Sequence, residues 1–130
     1  MISAKLAMVT LVVPDCDQAI AHYTYDWGFS VSVDTFHDSG KRWVEMTTNG
    51  GARLRLAQAQ TDTQVAAIGR QTGGLVSFFL NTENFDADVA CWLARGIHCL
   101  EPERVETYGR IVVLADAYGN RWDVIEASRL

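Results

Sequence analysis

The sequence predicts an α+β fold made of two copies of one βαβββ module. Three observations carry that prediction. The same order of apolar and polar segments is written twice along the chain, first over residues 9–57 and again over 75–126. The glycines that close the two amphipathic stretches, Gly28 and Gly96, lie 68 positions apart, and a repeat of that length marks two modules packed together. With 130 residues and 48% hydrophobic content, the chain can bury one core of useful size but hardly two independent ones. A single domain over residues 1–130 is therefore expected, with module 1 at about 5–58, a linker at about 59–73 and module 2 at about 74–127.

Each element has a local reason. Val9 to Val13 is a β-branched stretch that reads as the first strand. Pro14-Asp15 breaks it, and Asp15 with Gln18 three residues on has the form of a capping box that opens a helix. Ile20, Tyr23 and Trp27 then share one face at helical spacing, so a helix is expected over 17–28 with Gly28 as its stop. Ser30 to Phe36, Arg42 to Thr47 and Ala52 to Ala57 follow as strands, the last two joined by a hairpin turn at Asn49-Gly50-Gly51. Gln58 to Gly74 reads as a crossover linker, with a short helix capped by Thr61 and Gln64 that runs through Ile68 and ends at Gly69. The Gly73-Gly74 pair is not a phosphate loop, because it lacks the Lys-Ser/Thr and opens a strand. Leu75 to Leu80 begins the second module, and Phe85, Val89 and Trp92 repeat the helical stripe up to Gly96, with Thr82 or Asn84 as cap. The strands His98 to Glu101, Arg110 to Ala115 and Arg121 to Glu126 complete it, with a turn at Asp116 to Asn120.

Composition removes several function classes. A formal charge of −5 without Lys/Arg clusters argues against a nucleic-acid partner, which requires concentrated positive charge. The apolar run from Met8 to Val13 is far shorter than a bilayer span, and no small-x-small cleavage site follows it, so a soluble cytoplasmic protein without membrane contact is expected. Cys16, Cys91 and Cys99 are odd in number and at no metal-ligand spacing; reduced, mostly buried thiols are the reading.

With these residues in view, the chain resembles the vicinal oxygen chelate superfamily, which includes glyoxalase I, extradiol dioxygenases, and bleomycin and fosfomycin resistance proteins. The resemblance is carried by Val12-Val13-Pro14-Asp15, Ala19-Ile20-Ala21-His22-Tyr23, Trp27-Gly28-Phe29 and Asp116 to Asp123, and it covers nearly the whole chain. Ile68 to Gly74 and Tyr108-Gly109-Arg110 look like an uncharacterised, glyoxalase-related branch. The resemblance implies paired modules whose mixed sheets curl into a half-open barrel around one small-molecule site, and a homodimer. One such fold hosts many chemistries, so the site has to be argued on its own residues.

In the metal-dependent relatives, His or Glu ligands from the first and last strands of each module converge on one divalent ion. By motif register those positions here are Met8, Arg55, Leu75 and Asp123. A thioether and an alkyl group offer a hard cation nothing, and a guanidinium repels it, so no metal and no other cofactor is expected. His22, His37 and His98 have no paired spacing that would rebuild a metal site. What replaced the ligands suggests instead a pocket with a fixed positive group: Arg55 to take a carboxylate or other planar anion, Asp123 to pair with and orient it, and Met8 and Leu75 as apolar wall. A plain salt bridge filling an empty barrel is the competing reading.

Strand alternation adds Phe79 to the face of Leu75 and sends Trp122 to the packing side, while Trp43 and Tyr108 are further candidate ligand contacts. Glu45, His37 and Asp123 are the candidates for acid-base work. The expected function is binding of a small anionic or aromatic molecule, as in bleomycin resistance proteins. The alternatives are a metal-independent isomerase or lyase with Arg55 as oxyanion stabiliser, and a degenerate interaction module.

Overall fold

The computed structural model describes residues 1–126 and divides into two units, Met1–Ala66 and a second that begins at Ala67. The last position of the second expected module, residue 127, lies outside the described residues.

In the first unit β1 (Met8–Val13), β2 (Ser30–Phe36), β3 (Arg42–Thr47) and β4 (Arg53–Gln58) form a mixed sheet in the order β1-β4-β3-β2. β1 runs parallel to β4, and the other two pairings are antiparallel. Period-two alternation decides its faces: Leu11, Val13, Val44, Met46, Leu54 and Leu56 are buried, and their neighbours along each strand are not. Burying a side chain of that size contributes about 1.5–3 kcal/mol, which is why this face settles the register.

α1 (Cys16–Ala21) starts as expected, with Asp15 Oδ1 accepting from the Gln18 amide at 2.9 Å. It does not continue as one α-helix to Gly28. A π-helical turn, His22–Asp26, follows directly. Its wide step is held by side chains: Thr24 Oγ1 donates to the Ile20 carbonyl, His22 Nδ1 pairs with Asp26 Oδ2 at 2.8 Å, and Trp27 Nε1 donates to His22 Nε2 at 3.1 Å. The extra residue in the turn rephases the stripe, so Tyr23 and Trp27 are fully buried against Phe29 while Ile20 is only half-buried.

α2 (Asp62–Ala67) carries the expected cap, with the Gln64 amide on Thr61 Oγ1 at 3.1 Å and Gln64 Oε1 taking the Gln60 amide at 2.8 Å. Gln58, at the expected boundary between module 1 and the linker, is the last residue of β4.

The second unit repeats the plan with β5 (Val76–Thr82), α3 (Phe85–Ala94), β6 (His98–Glu106), β7 (Gly109–Ala115) and β8 (Arg121–Glu126), in the order β5-β8-β7-β6. Phe85 and Trp92 are buried from α3, and Thr82 Oγ1 both accepts from the Asn84 amide and donates to Asp88 Oδ2. β6 is longer than the expected 98–101 and passes through Pro102. It is an edge strand with irregular register from Cys99 to Arg104, where a missing amide donor is tolerated. Asp116 organises the last turn: it accepts from the amides of Tyr118 and Asn120, from Asn120 Nδ2 and from Trp122 Nε1, each at 3.0 Å. The fold is thus α+β, two repeated modules with four-stranded mixed sheets that do not close. The thiols depart from expectation in one respect: Cys16 is buried, but Cys91 is exposed and Cys99 half-buried, all three free.

Candidate functional site

Residues that alternate with the core positions of β1 and β4 line a cavity of about 690 Å³ in the first unit. Thr10 and Val12 come from β1, Arg55 and Ala57 from β4, Phe36 from the end of β2 and Lys41 and Arg42 from the β2–β3 turn and β3. Cys16, Gln58, Gln60 and Gln64 complete one side. Three of the lining side chains are cationic and none is a carboxylate, against a chain that carries −5 overall.

The three cations are not equivalent. Arg42 is spoken for, with Nη1 on Asp17 at 2.7 Å and Nε and Nη2 on the two oxygens of Asp34 at 2.9 Å each. Among the described residues, neither Lys41 nor Arg55 forms an ion pair. Burial pushes the pKa of the Cys16 thiol up, against the pull of Arg42, which keeps it protonated and a weak nucleophile.

Arg55 sits over the Trp43 ring, its Cζ 4.3 Å from the centroid. Its Nε is enclosed and has no hydrogen-bond partner, while its Nη groups are left to the cavity. Trp43 in turn donates from Nε1 to Glu45 Oε2 at 2.8 Å, and Arg53 Nη1 donates to Glu45 Oε1 at 2.9 Å. The Trp43 ring also stands edge-to-face with the exposed His37 ring, their centroids 6.2 Å apart. Four candidates from the sequence, Arg55, Trp43, Glu45 and His37, are therefore linked in one unit. Glu45, expected as a possible base, has both oxygens engaged.

Register separates Met8 from Arg55. Met8 pairs with Arg53, and the β1 residue opposite Arg55 is Thr10. Burial of the core face sets the parallel ladder, so the residue directly across from Arg55 is two positions beyond the one that the repeat spacing pairs with it. Leu75 also departs from expectation: it precedes β5 and is exposed. A register shift between Val76 and Phe78 breaks the alternation that tied Leu75 to Phe79.

In the second unit Phe79 pairs with Asp123 across β5 and β8, and Val113 stands between Asp123 and Glu101. Phe79 is exposed and Asp123 is buried, its Oδ1 without a partner. Burial holds the Asp123 carboxyl above the usual aspartate range, with Arg104 pulling it down and Glu101 pushing it further up. Tyr108, between β6 and β7, is partly exposed, and Trp122 is buried against Phe78.

The family-type metal does not fit this donor set. Thioether, guanidinium and alkyl groups occupy three of the four motif positions, and among the described residues no group of three or more His, Cys, Asp or Glu is placed to hold an ion. Sequence reasoning missed Thr10, Val12, Lys41 and the three glutamines of the cavity. Alternation from Arg55 along β4 and back from Val13 along β1 would have found the first two; the glutamines leave no periodic signal.

Comparison with known proteins agrees with this fold. An uncharacterised protein of Shewanella frigidimarina (strain NCIMB 400) is 38% identical over 125 residues, covering 94% of this chain and 93% of that one. The crystal structure of UcmS2 matches with a TM-score of 0.83 at 22% identity, over 96% of this chain and 99% of that one. That of TnmS3, an antibiotic binding protein from Streptomyces sp. CB03234, matches at 0.76 and 23%, over 97% and 98%. Likeness at this identity speaks for the fold alone. The family model for the Glyoxalase/Bleomycin resistance protein/Dioxygenase superfamily matches residues 5–124, and the chain belongs to that superfamily.

Proposed function

We propose that this protein binds a small anionic or aromatic molecule in the Arg55 cavity and holds it without turnover, in the manner of bleomycin resistance proteins. The observation that carries the reading is Arg55 itself: a guanidinium open to a cavity of about 690 Å³, with no carboxylate partner among the described residues. A cation so placed is suited to a carboxylate, taken through two parallel N–H bonds. Phe36 and Val12 supply apolar wall, and the glutamines and Thr10 supply neutral hydrogen-bonding groups. That a protein of similar fold is described as binding an antibiotic supports the same class of function.

The test is thermal unfolding in the presence of carboxylates, planar aromatics, glutathione conjugates and divalent metals. A ligand at about a hundredfold its Kd adds roughly 2.7 kcal/mol, visible as several degrees. Stabilisation by anions that Arg55→Ala abolishes is the expected result. Stabilisation by a metal and removal by chelator, with no response to anions, would return the protein to the metal-dependent enzymes. The reading takes residues 1–130 as one domain with one cooperative transition, and the protein as a cytoplasmic homodimer. A monomeric mass at micromolar concentration would remove the dimer.

One observation favours a second reading. Asp123 is a buried carboxyl with its pKa raised by burial, a state suited to proton transfer, so a metal-independent isomerase or lyase would use it before Glu45 or His37. Turnover of a candidate substrate that Asp123→Asn abolishes would decide for the enzyme.

A further inference from the structure

Arg55 does not stand alone on its face of the sheet. Arg53, Glu45, Trp43 and Arg55 form one chain of contacts across β3 and β4: Arg53 Nη1 to Glu45 Oε1 at 2.9 Å, Trp43 Nε1 to Glu45 Oε2 at 2.8 Å, and Arg55 over the Trp43 ring at 4.3 Å. The Glu45 side chain is only 13% exposed, so these are sheltered bonds and not a mobile surface pair. Glu45 also lies directly opposite Arg55 in the antiparallel ladder, yet its oxygens go to Arg53 and Trp43. The carboxylate opposite it in the ladder is thus occupied elsewhere, and the Arg55 charge is left for something else. With one side of the guanidinium covered by indole and Nε enclosed, the Nη edge is what remains for a ligand.

We infer that Glu45 and Trp43 are positioning residues for Arg55, and that by fixing the guanidinium edge they make the cavity selective for planar aromatic carboxylates over tetrahedral anions of the same charge. A carboxylate offers two oxygens in the plane of two N–H groups. A sulfonate has a third oxygen that stands out of that plane. An unfixed arginine adapts to either, whereas a fixed one discriminates. The inference rests on the binding reading above and adds to it the substrate class and the residues that set it.

The experiment is calorimetric titration of the whole protein with benzoate and with benzenesulfonate, which share ring and charge. The wild-type chain is expected to favour benzoate by roughly tenfold, as a matched bidentate pair should. Glu45→Gln and Trp43→Leu are expected to bring the ratio toward one, chiefly by weakening benzoate, and Arg55→Met to remove both. Trp43→Phe keeps a ring under Arg55 without the bond to Glu45, so its ratio should fall between those of the wild type and Trp43→Leu. Melting temperatures are read alongside. Variants that lose stability while keeping the wild-type ratio would overturn the positioning role. So would a wild-type chain that binds both anions equally through Arg55, which would leave the binding reading intact. A wild-type chain that takes neither anion overturns the binding reading, and this inference with it.

Discussion

Arg42 and Arg110, 68 residues apart, hold the same post in the two repeats. Each ties an acidic residue at the start of its module's helix to an acidic residue of its sheet: Arg42 joins Asp17 to Asp34, and Arg110 joins Asp86 to Glu126. Each also lies over a phenylalanine, Phe36 at 5.4 Å and Phe85 at 4.6 Å. These carboxylates raise both arginine pKa values, and Arg42 lowers that of Asp34 in return.

Arg42→Ala and Arg110→Ala should each lower the melting temperature by a few degrees. Because Asp17 and Asp86 are largely exposed, part of each effect should vanish at about 1 M salt, where the Debye length is about 3 Å. The two arginines share no partners, so the double variant should lose the sum of the single losses, read by thermal unfolding of all four proteins. Asp34 has a lowered folded pKa, so its contribution is present above the ordinary carboxylate range and fades as pH falls through and below it.

Gly69→Ala should be far more damaging than Gly73→Ala. Both glycines have positive φ, +72° and +69°, so each substitution carries a backbone cost of about 1 kcal/mol. A Cβ at residue 69 would also stand 2.0 Å from the Tyr118 carbonyl oxygen, whereas at 73 nothing lies within 4 Å. The excess, roughly 1–3 kcal/mol by urea titration, measures the approach of the linker to the Asp116–Asn120 turn.

Asp116→Ala should destabilise by about 3 kcal/mol or more, since it strands the buried Trp122 and Asn120 donors that now share its two oxygens. Trp122 fluorescence in the folded state should shift as the indole N–H loses its acceptor.

For Asp123 the sign runs the other way from Asp34. Burial raises its folded pKa, so the protonated form is favoured by the fold and its contribution is full below the ordinary aspartate value, about 4. That contribution is lost as pH rises through the folded pKa. Asp123→Asn should therefore be more stable than the wild type at neutral pH, with the gain shrinking to nothing below about pH 4, as read from melting curves across pH.

Local order was legible because its causes are local. Asp15 with Gln18, Thr61 with Gln64, Gly28, Gly96 and the Asn49-Gly50-Gly51 turn act within a few residues, and alternation marks β3 to the residue. The π-helical turn was not legible, since it depends on bonds among His22, Asp26 and Trp27 that no periodicity announces. Pro102 hid the length of β6, because a proline reads as a break until the strand is known to be at an edge.

The sequence by itself determined the repeat, the α+β class and the family, and it singled out Arg55 as a candidate. Only the tertiary structure decided that Thr10 and not Met8 faces Arg55, that Leu75 lies outside its strand, and that Glu45 serves Trp43 and Arg53. The reason is physical: caps, turns and alternation are written in neighbouring residues, but register and hydrogen-bond partners are chosen between strands tens of residues apart, where burial of the whole face selects among alignments the local pattern leaves equal.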